Sequence, residues 1–203
     1  MKLKPDKGFA EHNSFAERVI SLFAHIHPLD RVPRAGFILR GVPVPENVAA
    51  HSHFVSLLVM LFAEEHPGEY NAKKAVDMAI LHDLPEALLM DIPMPVGDKI
   101  IGNSKRKAEM TIFNEFFSGF PATWSALFEE MNARITPEAR LVAALDKVQM
   151  MLKILSYEKA NWGNLAEFWE NPDNFRDWDI PGIKELFFTI AKAAGKKLPK
   201  KRA

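Results

Sequence analysis

The stretch TPEARLVAALDKVQMMLKILSYE, residues 136–158, decides the fold because it predicts one long and mostly apolar helix. Thr136 offers a hydroxyl N-cap, Pro137 suits the first helical position, and Glu138 lies near the positive helix end. Apolar residues at helical spacing mark the side expected to face the core: Leu141, Leu145, Val148, Leu152 and Leu155. Asp146 interrupts this helix, so the sequence predicts a carboxylate within the core packing.

Helical periodicity also dominates the rest of the chain, and alternating, strand-like runs are scarce. Further helices are expected over residues 9–25, 47–65, 71–84, 105–117, 122–133 and 181–194, with short helix and turns over residues 161–178. Proline and glycine mark an ordered connector at residues 31–47 and a loop at residues 91–103. The sequence therefore predicts an all-α fold, with a single helical domain over residues 1–194 and a basic flexible tail over residues 195–203.

The composition excludes several classes of protein. The chain has 203 residues, 48% of them hydrophobic, and its 26 Lys and Arg balance 26 Asp and Glu, so stable nucleic-acid binding is not expected. Because the chain has no cysteine, disulfide frameworks, thiolate metal sites and cysteine nucleophiles are excluded. The N-terminus lacks a secretory signal pattern and no stretch reads as a membrane span, so we expect a cytoplasmic protein without a membrane partner.

Polar side chains stand at positions where a helical core should be apolar. His51 shares a helix face with Val48 and Val55, where an imidazole bonded to a backbone carbonyl is the alternative to a metal ligand. His82 and Asp83 fall in the expected last turn of an apolar helix, and an exposed aspartate beside a half-buried histidine is the alternative there. For Asp146 the alternative is a satisfied hydrogen bond between helices, while its neighbour Lys147 is expected to point elsewhere.

Two imidazoles and two carboxylates from three separate helices form a mixed nitrogen and oxygen ligand set. Such a set suits Mn, Fe, Co, Zn or a similar divalent ion. Glu86, four residues after His82, and Asp91 after the proline turn add carboxylates beyond the four ligands. Surplus acids beside a metal ion are what hydrolysis requires, because water must be oriented and a leaving oxygen protonated.

Four segments resemble the HD-domain phosphohydrolases, and most of all their 5'-deoxynucleotidase branch: RVPRAGFILRGV at 31–42, VPENVAAHSHFV at 44–55, AILHDLPEALLMDIP at 79–93 and the stretch at 136–158. The resemblance implies an HD-type helical bundle that binds one divalent ion (Mn, Co, Fe, Zn or Mg) through four ligands: His51, His82, Asp83 and Asp146. It implies that Glu86 is the acidic catalytic residue, aided by Asp91. Arg34 matches the arginine that meets the substrate phosphate.

The chain departs from the family pattern at three positions. Ala50 replaces an acid that often precedes the first histidine, which removes an expected contact to that ligand. Phe37 stands where the connector usually carries tryptophan, and it is expected to keep a stacking contact with substrate. Met90 replaces the usual glycine before Asp91. None of these changes removes a ligand or the catalytic acid.

The resemblance implies a metal-dependent phosphohydrolase that removes the 5'-phosphate from nucleoside monophosphates, deoxy forms above all, using water that the metal ion activates. One alternative is an HD-type hydrolase of another phosphoester: a phosphodiester, a triphosphate or a signalling nucleotide. Another is a non-catalytic metal-binding helical protein. A homodimer is also expected from the resemblance, with the aromatic stretch at 162–178 as its contact surface or, alternatively, as part of the core of one chain.

Overall fold

The computed structural model describes residues 14–94 and 96–200, and this part of the chain is helical, with one isolated antiparallel bridge between Pro33 and Asn47 in place of a sheet. The predicted all-α, single-domain helical bundle is confirmed. The α-helices are α1 (Phe15–Ile26), α2 (Ala35–Ile38), α3 (Val48–Glu65), α4 (Ala72–Leu81), α5 (Glu86–Leu89), α6 (Asn103–Phe116), α7 (Thr123–Ala133), α8 (Pro137–Lys159), α9 (Ala166–Glu170) and α10 (Pro181–Ala193). Two 3-10 helices, His27–Asp30 and Pro172–Phe175, and a π-helical turn, Val96–Ile101, complete the described chain.

The predicted long helix is α8, which lies at the centre of the bundle and packs against α3, α4, α7 and α10. It begins at Pro137 as predicted, but the side chain of Thr136 makes no capping hydrogen bond. Leu152 departs from the predicted core stripe, because 40% of it is exposed while Met151 and Ile154 are fully buried. A helix covered from several directions does not confine its core residues to one stripe, which is why the simple periodicity misplaces Leu152.

Helix α3 carries the second polar position and begins at an Asn47 N-cap, whose side-chain oxygen accepts the N–H of Ala50. Its buried face, with Val55 and Val59, packs in the bundle core, where α3 contacts α4 and α8. The prediction that no stretch is long and apolar enough to span a membrane is wrong for α3. This helix has 18 residues with a mean hydropathy of 1.2. Length and composition alone therefore do not separate this core helix from a membrane-spanning one.

Residues 91–103 are more regular than the predicted loop. The π-helical turn Val96–Ile101 lies within them, and Gly102, at φ +50°, leads into α6. Glycine adopts this backbone conformation without the steric cost that a side chain would add. The turn therefore places the first residues of α6 beside α5, against which α6 packs.

Helix α1 begins after Ser14, which forms a capping box with Glu17. Residues 9–13 of the predicted first helix lie outside the described residues. Within α1 no residue is buried, and Phe15, Ile20 and Phe23 each expose more than 60% of their surface. The helix therefore presents an apolar face outside the described core.

The aromatic stretch that follows α8 folds onto the same chain. Leu165, Trp169 and Phe175 are buried in the main core, as intramolecular packing predicts, with α9 and the 3-10 helix as the expected short helices. Of the predicted tail, residues 195–200 are described, and Leu198 packs against the core. The subdivision at residue 195 stays a prediction.

Candidate metal centre and cavity

Three segments bring the predicted ligands to one place. Ligand atoms of His51, on the second turn of α3, and of His82 and Asp83, directly after α4, all lie within 4.8 Å of one another. Asp146, from the middle of α8, places Oδ1 3.1 Å from Nε2 of His51. The four predicted ligands therefore meet, although they are separated by up to 95 residues along the chain.

The pair His82 and Asp83 does not lie in the last turn of a helix as expected. Helix α4 ends at Leu81, and residues 82–85 form a turn that leads into α5 at Glu86. Adjacent residues of a regular helix point about 100° apart. Because the pair stands outside the helix, both side chains reach the same point, and His82 Nε2 lies 3.1 Å from Asp83 Oδ2.

Both imidazoles are held so that Nε2 faces the site. Nδ1 of His51 lies 2.6 Å from the amide oxygen of Gln149, and Nδ1 of His82 lies 2.7 Å from the backbone oxygen of Ala79. Because each of these oxygens accepts an N–H, Nδ1 is the protonated nitrogen and Nε2 keeps its lone pair in the neutral ring. Both Nε2 atoms are buried without a hydrogen-bond partner among the described residues. Buried lone pairs of this kind, flanked by carboxylates, fit a divalent cation.

A second layer of buried polar groups holds His51 in place. Gln149, which accepts from His51, donates through Nε2 to the Glu46 carboxylate at 2.9 Å. Lys153 lies 3.6 Å from the same carboxylate, and the backbone N–H of Glu46 donates to the Tyr157 hydroxyl. Sequence reasoning expected a contact to His51 to be missing because residue 50 is alanine. Gln149 supplies such a contact from α8 instead.

The charges at the ligand cluster favour a cation. Burial alone would raise the pKa of Asp83, but His82, His51 and Arg34 hold it well below its usual value. Burial would likewise raise the pKa of Asp146, but Lys147 and His51 hold it well below the usual range. Burial would lower the pKa of His82, whereas Asp83 raises it. The two carboxylates therefore stay ionised and attract positive charge to the point between the imidazoles.

Lys147 does not point away as expected, because its Nζ lies 3.4 Å from Oδ2 of Asp146. The carboxylate thus presents one oxygen towards His51 and the other towards this lysine. The ion pair fixes the orientation of the predicted ligand Asp146.

Arg34 lies beside the ligands on the connector, as the resemblance implies. Its Nη1 is 3.4 Å from Oδ2 of Asp83, its Nε is 3.8 Å from Oδ2 of Asp91, and its side chain is 14% exposed. Burial would lower the pKa of Arg34, but the carboxylates of Asp91 and Asp83 raise it. Oδ2 of Asp91 also accepts the backbone N–H of Ala35 at 2.7 Å. Asp91 therefore positions the arginine, and its predicted part in proton transfer stays a prediction.

Glu86 begins α5 and is buried next to the ligands, with Oε2 lacking a hydrogen-bond partner within the described chain. Burial and the negative charges of Asp83 and Asp91 raise the pKa of Glu86 well above its usual value. Lys105, on the first turn of α6, places Nζ 3.7 Å from Oε1 of Glu86 and 3.1 Å from Oε1 of Glu109. The half-buried Lys105 therefore places a positive charge beside the buried acid.

From the sequence alone, Lys105 is predicted to lie on a solvated helix face together with Arg106 and Lys107. Its side chain is only 21% exposed, whereas Arg106 and Lys107 are exposed. Sequence reasoning therefore missed Lys105 as a residue of the site. The preceding π-helical turn, which the sequence did not reveal, sets where α6 begins and so which of the three basic residues faces inward.

A cavity of about 560 Å³ opens onto these groups. Its lining includes Arg34, His82 and Asp83 together with several residues of the aromatic stretch, among them Arg176 and Trp178. Phe37 also lines the cavity, but it is only 2% exposed. Its ring centroid lies 5.1 Å from that of Tyr157, in an edge-on contact, and 5.6 Å from that of Phe168, in a tilted one. Little of the Phe37 ring is thus left for the predicted stacking on substrate.

An all-helical domain that gathers imidazole and carboxylate ligands beside an arginine and a buried acid has the make-up of a metal-dependent phosphohydrolase. The chain belongs to the HD domain family, whose pattern matches residues 26–176. It is accordingly an HD-domain metal-dependent phosphohydrolase.

Named relatives and solved structures agree with this assignment. The chain is 27% identical over 165 residues to 5'-deoxynucleotidase HDDC2 of Xenopus laevis, covering 78% of this chain and 80% of the relative. It is 26% identical over 162 residues to the protein of the same name from Homo sapiens, covering 77% of each. A conserved hypothetical protein from Pyrococcus furiosus is 31% identical, with a TM-score of 0.71 over 85% of this chain and 99% of that one. The fold is shared with a structure from Magnetospirillum magnetotacticum that is 22% identical, with a TM-score of 0.61. The match covers 89% of this chain and 93% of that one.

Proposed function

We propose that this protein removes the 5'-phosphate from nucleoside monophosphates, with deoxynucleotides as the preferred substrates. The observation that carries the proposal is the placement of Arg34, 3.4 Å from the ligand Asp83 at the edge of an open cavity. A guanidinium there can bind two phosphate oxygens while a third faces the metal ligands. The relatives named 5'-deoxynucleotidase support this substrate class.

In the proposed enzyme, His51, His82, Asp83 and Asp146 hold one divalent cation. When bound, such an ion would supply Lewis-acid stabilisation of the phosphoryl oxygens and would make water a better nucleophile at neutral pH. The chain fixes the ligand geometry through Gln149 and the backbone oxygen of Ala79, which hold both Nε2 atoms towards the cation position.

The remaining chemistry belongs to side chains of the cavity. Arg34 binds and orients the phosphoryl group, which matters because phosphoryl transfer depends mainly on position and charge stabilisation. Burial and the charges of Asp83 and Asp91 raise the pKa of Glu86, so this carboxyl holds its proton to a higher pH than an exposed glutamate does. It gives this proton to the departing 5'-oxygen as the P–O5' bond breaks, and the water that forms the new P–O bond returns a proton to the Glu86 carboxylate. Lys105 stays within reach of the carboxylate that is left behind. The products are a nucleoside and inorganic phosphate.

The test is phosphate release by the purified protein from all common ribo- and deoxyribonucleoside monophosphates, with Mn²⁺, Co²⁺, Fe²⁺, Zn²⁺ or Mg²⁺ added in turn. The proposal predicts nucleoside and phosphate as products, with deoxynucleotides hydrolysed faster. Release of pyrophosphate, triphosphate or a new nucleotide, without nucleoside, would show that another phosphoester is the substrate.

A matched pair of variants separates the enzyme from a metal-binding protein without activity. Glu86→Gln is expected to lower the rate by about two to four orders of magnitude, the range for loss of a general acid, with bound metal unchanged. Glu129→Gln, an exposed position on α7, is the control and should keep full activity. Equal activity of both variants would remove Glu86 from the mechanism.

We further propose that the protein is a cytoplasmic homodimer. The buried aromatic stretch offers little contact surface, whereas α1 exposes Phe15, Ile20 and Phe23 on an apolar face. Such a face favours association between copies of the chain. Light scattering should give twice the mass of 23.0 kDa, and Ile20→Glu should lower it to the monomer mass. A monomer of the unaltered protein at working concentration would exclude the dimer.

A further inference from the structure

We propose that Arg176 and Trp178 form a nucleobase-binding subsite at the wall of the cavity, with the base stacking on this pair. The inference rests on the proposed function, because it assigns the part of the substrate that lies beyond the phosphate. Both residues line the same cavity as Arg34 and three of the four predicted metal ligands, His82, Asp83 and Asp146. They belong to the segment between α9 and α10, for which the sequence offered only a packing role or a dimer contact.

The cavity requires an aromatic surface other than Phe37. Phe37 is 2% exposed, because Tyr157 and Phe168 cover its ring. Trp178 is half-buried: it packs partly against the core and also reaches the cavity wall. The exposed Arg176 guanidinium lies 4.7 Å from the centroid of the Trp178 indole. An arginine held over an indole offers a base both a planar cation and an aromatic ring.

The backbone at Trp178 and Asp179 is strained, and this strain favours a binding role for the Trp178 side chain. Trp178 and Asp179 have φ values of +47° and +61°, the left-handed region in which a side chain is unfavourable. Two glycines would make the same turn without this cost. Retaining a large indole at a strained position beside a cavity is typical of a binding site, where strain places a side chain for function.

Neighbouring contacts hold the strained turn. Asp177 is buried, and its Oδ1 accepts the backbone N–H of Asp179 at 3.2 Å. Its backbone oxygen accepts the N–H of Ile180 at 2.9 Å, directly before Pro181 opens α10. The turn is thus anchored to a rigid helix, and Trp178 is held in place without a ligand.

Polar groups on the same wall can contact the edge of a base. The exposed carboxylate of Asp173, at the 3-10 helix Pro172–Phe175, also lines the cavity. A carboxylate accepts hydrogen bonds from ring or exocyclic N–H groups, and every common nucleobase carries at least one such group. The same cavity therefore offers a stacking surface and an acceptor for the base, and Arg34 for the phosphate.

The experiment compares a deoxynucleoside 5'-monophosphate with deoxyribose 5-phosphate, which has the same reacting bond and no base. In the unaltered protein we expect the ratio of kcat/KM values to favour the nucleotide by about tenfold or more, a factor typical of one base stacked on an aromatic side chain. Trp178→Ala should lower this ratio about tenfold, chiefly through KM for the nucleotide. Trp124→Ala, a 38% exposed tryptophan on α7 that stacks on Phe120, should leave the ratio unchanged.

Two more variants guard against a folding defect, since Trp178 packs partly on the core. Arg176→Gln changes an exposed side chain and should lower the ratio in the same direction. Trp178→Phe should restore most of the ratio that Trp178→Ala loses. An unchanged ratio in both Trp178→Ala and Arg176→Gln would overturn the subsite.

Failure of the proposed function would be seen separately. If the unaltered protein releases phosphate from neither compound, calorimetry on the metal-loaded protein still measures their affinities. Tighter binding of the nucleotide by about tenfold, lost in Trp178→Ala, would support the subsite; equal affinities would overturn it. Phosphate release without preference for the nucleotide would overturn the subsite and leave the phosphatase proposal standing.

Discussion

The amide oxygen of Gln149 lies 2.6 Å from Nδ1 of His51. A residue of α8 therefore sets which nitrogen of this α3 histidine faces the other predicted metal ligands. Glu46 accepts from the other end of the same amide at 2.9 Å, which fixes the amide orientation. The predicted ligand is thus aligned by two side chains that themselves do not reach the cation position.

Replacing Gln149 by methionine, which has a similar length and no acceptor oxygen of equal strength, should weaken metal binding. We expect the dissociation constant for Mn²⁺ or Zn²⁺ to rise about 10- to 100-fold, the usual effect of losing a group that orients a metal-binding histidine. Titration calorimetry measures this. Met151→Leu, at a fully buried neighbouring position, is the control, and equal affinities of the two variants would contradict the assignment.

The raised pKa of Glu86 predicts the direction of the pH dependence. If Glu86 donates a proton, kcat is highest while the carboxyl is protonated and falls as the pH rises through its elevated pKa. Glu86→Gln should lack this alkaline limb in its residual activity. A rate profile at saturating metal measures it, and a wild-type rate that rises over the same range would assign Glu86 the role of base.

The raised pKa of Glu86 also affects the stability of the folded protein. The folded protein binds the Glu86 proton more tightly than the unfolded chain does, so this group stabilises the fold at low pH and the contribution is lost as the pH rises through its elevated pKa. Thermal melting of the metal-free protein should therefore show less loss of Tm towards alkaline pH in Glu86→Gln than in the wild type. Parallel Tm curves would indicate that the carboxyl does not change its protonation on folding.

Lys105→Met should lower kcat/KM about tenfold, because one charge-assisted contact of roughly 1.4 kcal/mol to the Glu86 carboxylate is removed. It should also move the alkaline limb of the rate profile to higher pH, since Lys105 lowers the pKa of Glu86. Lys107→Met is the matched control on the same helix, where the lysine is exposed. Steady-state rates across pH distinguish the two variants, and identical profiles would exclude a role for Lys105.

Metal removal should destabilise the protein. With free metal at 100 times its dissociation constant, binding adds about 2.7 kcal/mol to the free energy of unfolding, so a chelator should lower Tm by several degrees. Asp146→Asn should reduce this difference, because it removes an ionised carboxylate 3.1 Å from Nε2 of His51. Differential scanning calorimetry with and without chelator provides the measurement. A Tm that chelator does not change would argue against a resident ion.

Much of the fold and of the ligand cluster could be predicted from the sequence, because charged or imidazole side chains in apolar helices stand out. His51 and Asp146 are such cases. Gln149 is likewise a polar residue among buried apolar ones, but it has no charge, so the sequence did not single it out. Lys105 could not be told from Lys107 without the π-helical turn that sets where α6 begins. The cavity wall around Trp178 depends on contacts between distant segments, which local patterns do not encode.

Asp91 joins the connector to the segment after α5, although the two lie far apart in the sequence. Its Oδ2 accepts the Ala35 backbone N–H and forms an ion pair with the Arg34 side chain. For the proposed substrate, the arginine would therefore be oriented before binding, and the entropic cost of ordering its side chain would fall on folding rather than on each binding event. Preorganisation of this kind lowers the conformational cost of binding a small anion.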